Sequence, residues 1–101
     1  MLRNLRTYTM SVDLHRASEK AAIPAYLKRQ LLKAAASISL NIAEGYGKDS
    51  PADRRRYFFI ALGSLREVQA AIELAGDRHS ALARLADQVG ASLYRLCNPK
   101  R

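Results

Sequence analysis

Between Glu44 and Asp53 the chain reads E-G-Y-G-K-D-S-P-A-D, and this short stretch limits the fold more than any other. Gly45 and Gly47 stop a preceding helix and permit the left-handed turn that commonly follows one. Ser50 is a good N-cap, and Pro51 suits the first helical position, where a missing N–H costs nothing. Asp53 completes a capping-box pattern near the positive end of the next helix dipole. On both sides apolar residues recur at three- and four-residue steps, so Ser37 to Val68 is the heart of a helical hairpin.

The flanking helices follow from the same periodicity. The helix before the turn spans about 24–45 and carries a core stripe of Leu27, Leu31, Ala34, Ala35, Ile38 and Ile42. A second arc of Leu32, Ala36, Leu40 and Ala43 is set apart by a polar line of Gln30, Lys33, Ser37, Asn41 and Glu44. The helix after the turn, about 51–75, puts Phe58, Ala61, Leu62, Leu65, Val68, Ile72 and Ala75 toward a core. Its far side holds Phe59, Ile60, Gly63 and Leu74 beside Glu67. Gly63 costs about 1 kcal/mol against alanine inside a helix, which suggests close approach by a neighbour. Two long helices with apolar residues on two sides have more to bury than one small bundle requires, so the pattern predicts self-association.

A first helix over about 5–21 has Leu5, Tyr8 and Val12 on one side and Met10, Leu14, Ala17 and Ala21 on another. Ile23-Pro24 ends it, and Pro24 is placed to open the next. A fourth helix over about 79–97 carries Leu82, Leu85, Val89, Leu93 and Leu96, and Asn98-Pro99 closes it. Short turns force antiparallel neighbours. The expected fold is all-α, an antiparallel up-down four-helix bundle occupying residues 1–101 as one domain.

Composition narrows the function classes. At 101 residues the chain forms one modest core. No apolar run reaches the roughly 18 residues of a membrane span, and the N-terminus lacks a signal peptide's apolar block, so a cytoplasmic protein is expected. The single cysteine, Cys97, makes neither an internal disulfide nor a zinc site alone; His15 and His79 lie far apart without ligand partners. No metal or other cofactor is expected. Seventeen Lys and Arg against nine Asp and Glu leave a charge of +8, spread along the chain. Such a charge favours polyanions through counterion release, with nucleic acid or an anionic surface as the natural partner; it also serves simply to keep a self-associating protein soluble.

Arg54-Arg55-Arg56 is the most conspicuous basic cluster, but consecutive helical residues point about 100° apart, so only one or two of the three join a shared strip. Arg55 and Arg66 fall on one flank. Lys28, Arg29 and Lys33 extend the candidate phosphate-binding set, with Arg95, Lys100 and Arg101 as a tail. Each of these charges also has a plain reading as a solvated residue paired with Asp53 or Glu73. Tyr46, Tyr57, Phe58 and Phe59 read as core or seam aromatics rather than base-stacking platforms.

The central tracts S-I-S-L-N-I-A-E-G-Y-G-K and R-R-Y-F-F-I-A-L-G-S-L-R-E-V-Q-A-A-I-E-L-A resemble the four-helix bundle protein family. Its members are encoded in intervening sequences of bacterial 23S rRNA genes and in diversity-generating retroelements. The resemblance is carried by Ser37-Ile38, by Asn41 through Gly45 with Glu44, and by Ile60 through Leu65 with Gly63, Ser64 and Glu67, about a third of the chain. It implies a bundle assembled as a ring of five subunits. In the retroelement branch it further implies an accessory protein that binds RNA or DNA and associates with a reverse transcriptase. The intervening-sequence branch is similar in the Asn41–Gly45 motif, and for it a protein-interaction scaffold without nucleic-acid contact is the alternative. Asn41, Glu44, Ser64 and Glu67 are expected to be polar groups facing one another between the second and third helices or across a subunit seam, or else to line a solvated strip. No nucleophile or metal set accompanies the Glu44 and Glu67 carboxylates, and an enzyme is not expected.

Overall fold

A computed structural model describes residues 2–76 and 80–99, with side chains described from Leu5 onward. Four helices follow in order: α1 (Leu2–Lys20), α2 (Ala25–Tyr46), α3 (Pro51–Ala75) and α4 (Ser80–Cys97). Among the described residues there is no strand. Each helix packs on the next, α4 returns against α1, and the diagonal helices do not approach. The bundle measures 40 × 20 × 18 Å, its long axis close to the roughly 37 Å that the 25 residues of α3 span at 1.5 Å per residue.

All six stripe residues expected of α2 are buried, and Phe58, Ala61, Leu65, Val68 and Ile72 meet them from α3. Leu82, Val89 and Leu93 complete the core from α4, with Leu85, Leu96 and Leu62 partly buried at its edge. The α3 start is capped as its sequence demands: Ser50 Oγ accepts from the Asp53 N–H at 3.1 Å, and Pro51 occupies the first turn. Pro24 stands one position earlier than expected, as the extended residue before α2, with its carbonyl accepting from Lys28 N–H at 2.9 Å.

Two expectations about glycine are corrected. Gly47 is right-handed (φ −81°, ψ −4°), and α2 continues through Gly45 to Tyr46 without a left-handed residue. Gly45 serves packing instead: a Cβ there would stand 2.7 Å from Phe58 Cε1 and 3.2 Å from the Arg54 carbonyl. Among the described residues it is Gly76, after α3, that has a left-handed φ, 91°. Gly63, expected beneath a close neighbour, has nothing within 4 Å of where its Cβ would lie, and is exposed.

α1 departs most from its expected pattern. It starts at Leu2 rather than Leu5, and Leu5 and Tyr8 are exposed. Its buried line is Thr7, Ser11, Leu14 and Ser18, three hydroxyls and one leucine. The hydroxyls are paired. Thr7 Oγ1 bonds Ser92 Oγ of α4, Ser11 Oγ bonds Ser39 Oγ of α2 at 2.8 Å, and Ser18 Oγ donates to the Leu14 carbonyl at 2.8 Å. Ser37 Oγ meets Ser64 Oγ across α2 and α3 at 2.8 Å, and Gln69 Nε2 donates to Asp87 Oδ1 across α3 and α4 at 2.9 Å. Every adjacent helix pair thus has one polar clasp between side chains. The expected fourth-helix start at His79 and the basic tail of Lys100 and Arg101 lie outside the described residues.

Candidate nucleic-acid interface

The basic residues singled out in the sequence occupy three separate places. Lys28 Nζ donates to the Ala21 carbonyl at 2.6 Å and so caps the end of α1, a structural task that holds the α1–α2 corner. Arg29 and Lys33 are exposed on α2, and Lys33 lies with Ser37, Glu67 and Leu74 along an open groove of about 370 Å³ between α2 and α3. Arg66 stands over a different groove, between α3 and α4. The single strip expected from Lys28, Arg29 and Lys33 together with Arg55 and Arg66 is therefore divided, because α2 and α4 flank α3 on opposite sides.

At the α2–α3 turn the charges converge on an aromatic ring. Lys48 Nζ lies 5.2 Å from the Tyr57 ring centroid and Arg56 Cζ 4.8 Å from it, both within the range where a cation is attracted by the ring face. Lys48 also pairs with Glu44 at 3.2 Å, and that hydrogen bond, ahead of the Tyr57 contribution, holds its ammonium above the usual lysine range. Arg54 Nε donates to the Lys48 carbonyl at 2.7 Å and ties the turn to the first turn of α3. Arg55 is half-buried, and at eleven residues from Arg66 it shares that residue's side of α3. Among the described residues Lys48 and Glu44 form a lysine–carboxylate ion pair, and His15 Nδ1 lies 4.0 Å from a Glu19 carboxylate oxygen. Arg29, Lys33, Arg54, Arg55, Arg56 and Arg66 stand without a carboxylate partner there.

The family-motif residues fall into two groups. Ser37, Ser64 and Asn41 form a polar knot in the α2–α3 seam, with Asn41 Nδ2 donating to the Ser37 carbonyl at 2.9 Å and to its Oγ at 3.1 Å. Glu44 and Glu67 are not in that knot: both are exposed, Glu44 held by Lys48 and Glu67 beside the α2–α3 groove. Within the protomer these two carboxylates thus follow the solvated-strip alternative, while Asn41 and Ser64 take the α2–α3 packing role. Gly45 makes room for Phe58, and Gly63 belongs to an exposed line of Phe59, Ile60, Gly63, Ala70 and Leu74 on α3. Tyr46 packs edge-on against Phe58 at 5.0 Å, as a core aromatic, and its buried hydroxyl has no hydrogen-bond partner among the described residues. Burial raises its pKa to about 12, and likewise raises that of Cys97 to about 11.

Sequence reasoning passed over Tyr94, whose ring is 56% exposed beside Arg66, and the hydroxyl line of α1. The second had a signal: Thr7, Ser11, Leu14 and Ser18 keep the four-three-four spacing of a buried helix face. Among the described residues no three His, Cys, Asp or Glu side chains gather as a metal site. No described helix is long and apolar enough to cross a membrane.

Bundle topology and a basic, carboxylate-poor surface define a small all-helical protein built around a serine-clasped core. The chain belongs to the 23S rRNA-intervening sequence protein family, whose model matches residues 3–98. Its fold is shared with a crystal structure of a protein of unknown function from the S23 ribosomal protein family of Bacteroides thetaiotaomicron. That structure is 20% identical, with 95% of each chain covered and a TM-score of 0.67. None of the curated proteins matches this chain.

Proposed function

We propose that this protein is a non-enzymatic, self-associating nucleic-acid-binding accessory protein that holds RNA or DNA through phosphate contacts, in support of a reverse transcriptase. The observation that carries the reading is the set of surface arginines and lysines left, among the described residues, without carboxylate partners on a chain of charge +8. An unpaired, exposed guanidinium keeps its donors for phosphate, and a set of them gains affinity by releasing counterions. Self-association is supported by the exposed line of Phe59, Ile60, Gly63, Ala70 and Leu74 on α3 and by Leu40 on α2, which a neighbouring copy would cover; that the assembly is a homopentamer rests on the family resemblance alone. A weak strip repeated around such a ring gains by multivalency. The reverse-transcriptase link rests on the retroelement resemblance alone.

Binding of labelled single- and double-stranded RNA and DNA at 50 and 200 mM salt tests the reading. The expected result is affinity that falls steeply with salt, and no binding at 50 mM removes the proposal. Co-expression with a reverse transcriptase encoded beside this gene tests the accessory role through nuclease-resistant co-purification.

The same apolar line favours a second reading, a scaffold that recruits a protein through the α3 face without touching nucleic acid. Capture of one defined protein that survives nuclease and high salt, together with absent nucleic-acid binding, is its signature.

A further inference from the structure

We propose that the groove between α3 and α4 is a single-stranded nucleic-acid site in which Tyr94 stacks a base and Arg66 and Arg95 hold the adjoining phosphates. The inference rests on the nucleic-acid-binding reading and names where and how the strand is held. The groove is open and about 550 Å³, within the roughly 300–1,000 Å³ of small-ligand sites.

Gly90 forms part of its floor. A Cβ at Gly90 would lie 3.2 Å from Leu65 Cδ1, so the bare backbone lets α3 and α4 approach closely here, and Arg66 Nη1 and Gln69 Nε2 lie over it, each 3.9 Å from where that Cβ would stand. The guanidinium is aimed. Arg66 Nη1 donates to Gln69 Oε1 at 2.9 Å, and Gln69 Nε2 donates in turn to Asp87 Oδ1 at 2.9 Å. Gln69 therefore stands between Arg66 and Asp87, fixing the arginine while keeping the carboxylate out of direct contact. That bond uses one of the five guanidinium donors and leaves four without a hydrogen-bond partner among the described residues. Tyr94 lies one helical turn beyond Gly90 on the same side of α4, its ring exposed, and Arg95 follows in the last turn of the helix. The helix end is held by Asn98, whose backbone N–H and Nδ2 both donate to the Tyr94 carbonyl, at 2.9 and 3.1 Å.

An exposed aromatic that shares a groove with two guanidinium groups lacking a carboxylate partner among the described residues matches a strand whose base faces are open. A duplex buries those faces in its own stack and has only phosphates to offer. Arg55, on the same flank of α3 as Arg66, extends the positive lane.

The test is fluorescence anisotropy with an eight-nucleotide oligo-U, the matching oligo-dT, and a short duplex at 50 and 200 mM salt. Wild type is expected to prefer both single strands to the duplex. Tyr94→Ala is expected to weaken single-strand binding about 5- to 150-fold with the salt slope unchanged, and Tyr94→Trp to retain it. Arg66→Gln and Arg95→Gln are each expected to reduce the slope by about 0.7. Circular dichroism and light scattering check that each variant stays helical and keeps its mass. If wild type binds the strands but Tyr94→Ala binds as well, or Tyr94→Trp fails as Tyr94→Ala does, the groove is not the site and nucleic-acid binding stands. Equal affinity for the duplex, or a change of mass in Tyr94→Ala, which would make this face a contact between copies, overturns it too. Absence of all binding at 50 mM removes this site together with the broader reading.

Discussion

Gly45 shows how a single missing carbon sets the geometry of the hairpin. Phe58 packs so close to the α2 backbone that Gly45→Ala must push back either the ring or the Arg54 carbonyl. Overpacking costs about 1–3 kcal/mol and helix propensity returns about 1, so a net loss of up to about 2 kcal/mol is expected as a lower urea midpoint. Tyr46, one residue on, makes a pH-dependent contribution together with Cys97. Burial lifts Tyr46 from 10.0 to about 12 and Cys97 from 9.0 to about 11, so the folded state keeps protons that the unfolded chain has already released. Stability from both is full below about pH 9 and declines as pH rises toward 11 and 12. Urea unfolding from pH 8 to 11.5 is expected to follow that decline, and Tyr46→Phe to flatten it above pH 10 while leaving stability at pH 7 equal or higher. A Tyr46→Phe profile superimposable on wild type would contradict the assignment.

Between elements, the hydroxyl clasps decide how the helices are set against one another. A leucine stripe packs acceptably at several rotations and heights, whereas Ser37 and Ser64 meet at hydrogen-bond distance only in one register. Asn41 adds a second anchor to the same point from one turn along α2. Ser37→Ala and Ser64→Ala are each expected to lower stability by about 1 kcal/mol. The double variant should lose less than the sum, with a coupling of about 0.5–1.5 kcal/mol in a double-mutant cycle. Strict additivity would assign the two hydroxyls independent roles. The hairpin and its stripes are legible in the sequence because they depend on local capping and helical period. The clasps are not, since a serine in a helix gives no sign of which partner it will meet: Thr7 and Ser92 are 85 residues apart.

At the scale of the whole molecule, the outer face of α3 carries an exposed apolar line of Phe59, Ile60 and Leu74. Gly63 has space around it within the protomer, so Gly63→Leu meets no obstacle there and adds helix propensity. If copies pack over Phe59, Ile60 and Leu74, the added side chain blocks them. The expected outcome is a smaller light-scattering mass at equal concentration with helical content intact; an unchanged mass would show that no copy sits on this line.

Local sequence was enough to determine four helices, their short connections, the capped start at Ser50 and the apolar stripes of α2, α3 and α4. Those features follow from backbone geometry and burial within a few residues of each other. Tertiary structure alone decided the rest. It placed Lys28 as a cap, divided Arg66 from Lys33 onto opposite sides of α3, drew the hydroxyls of α1 into the core, and set Tyr94 beside Arg66 over Gly90. The physical reason is that a helix's period reveals which residues share a face, but only its neighbours settle whether that face meets protein or water.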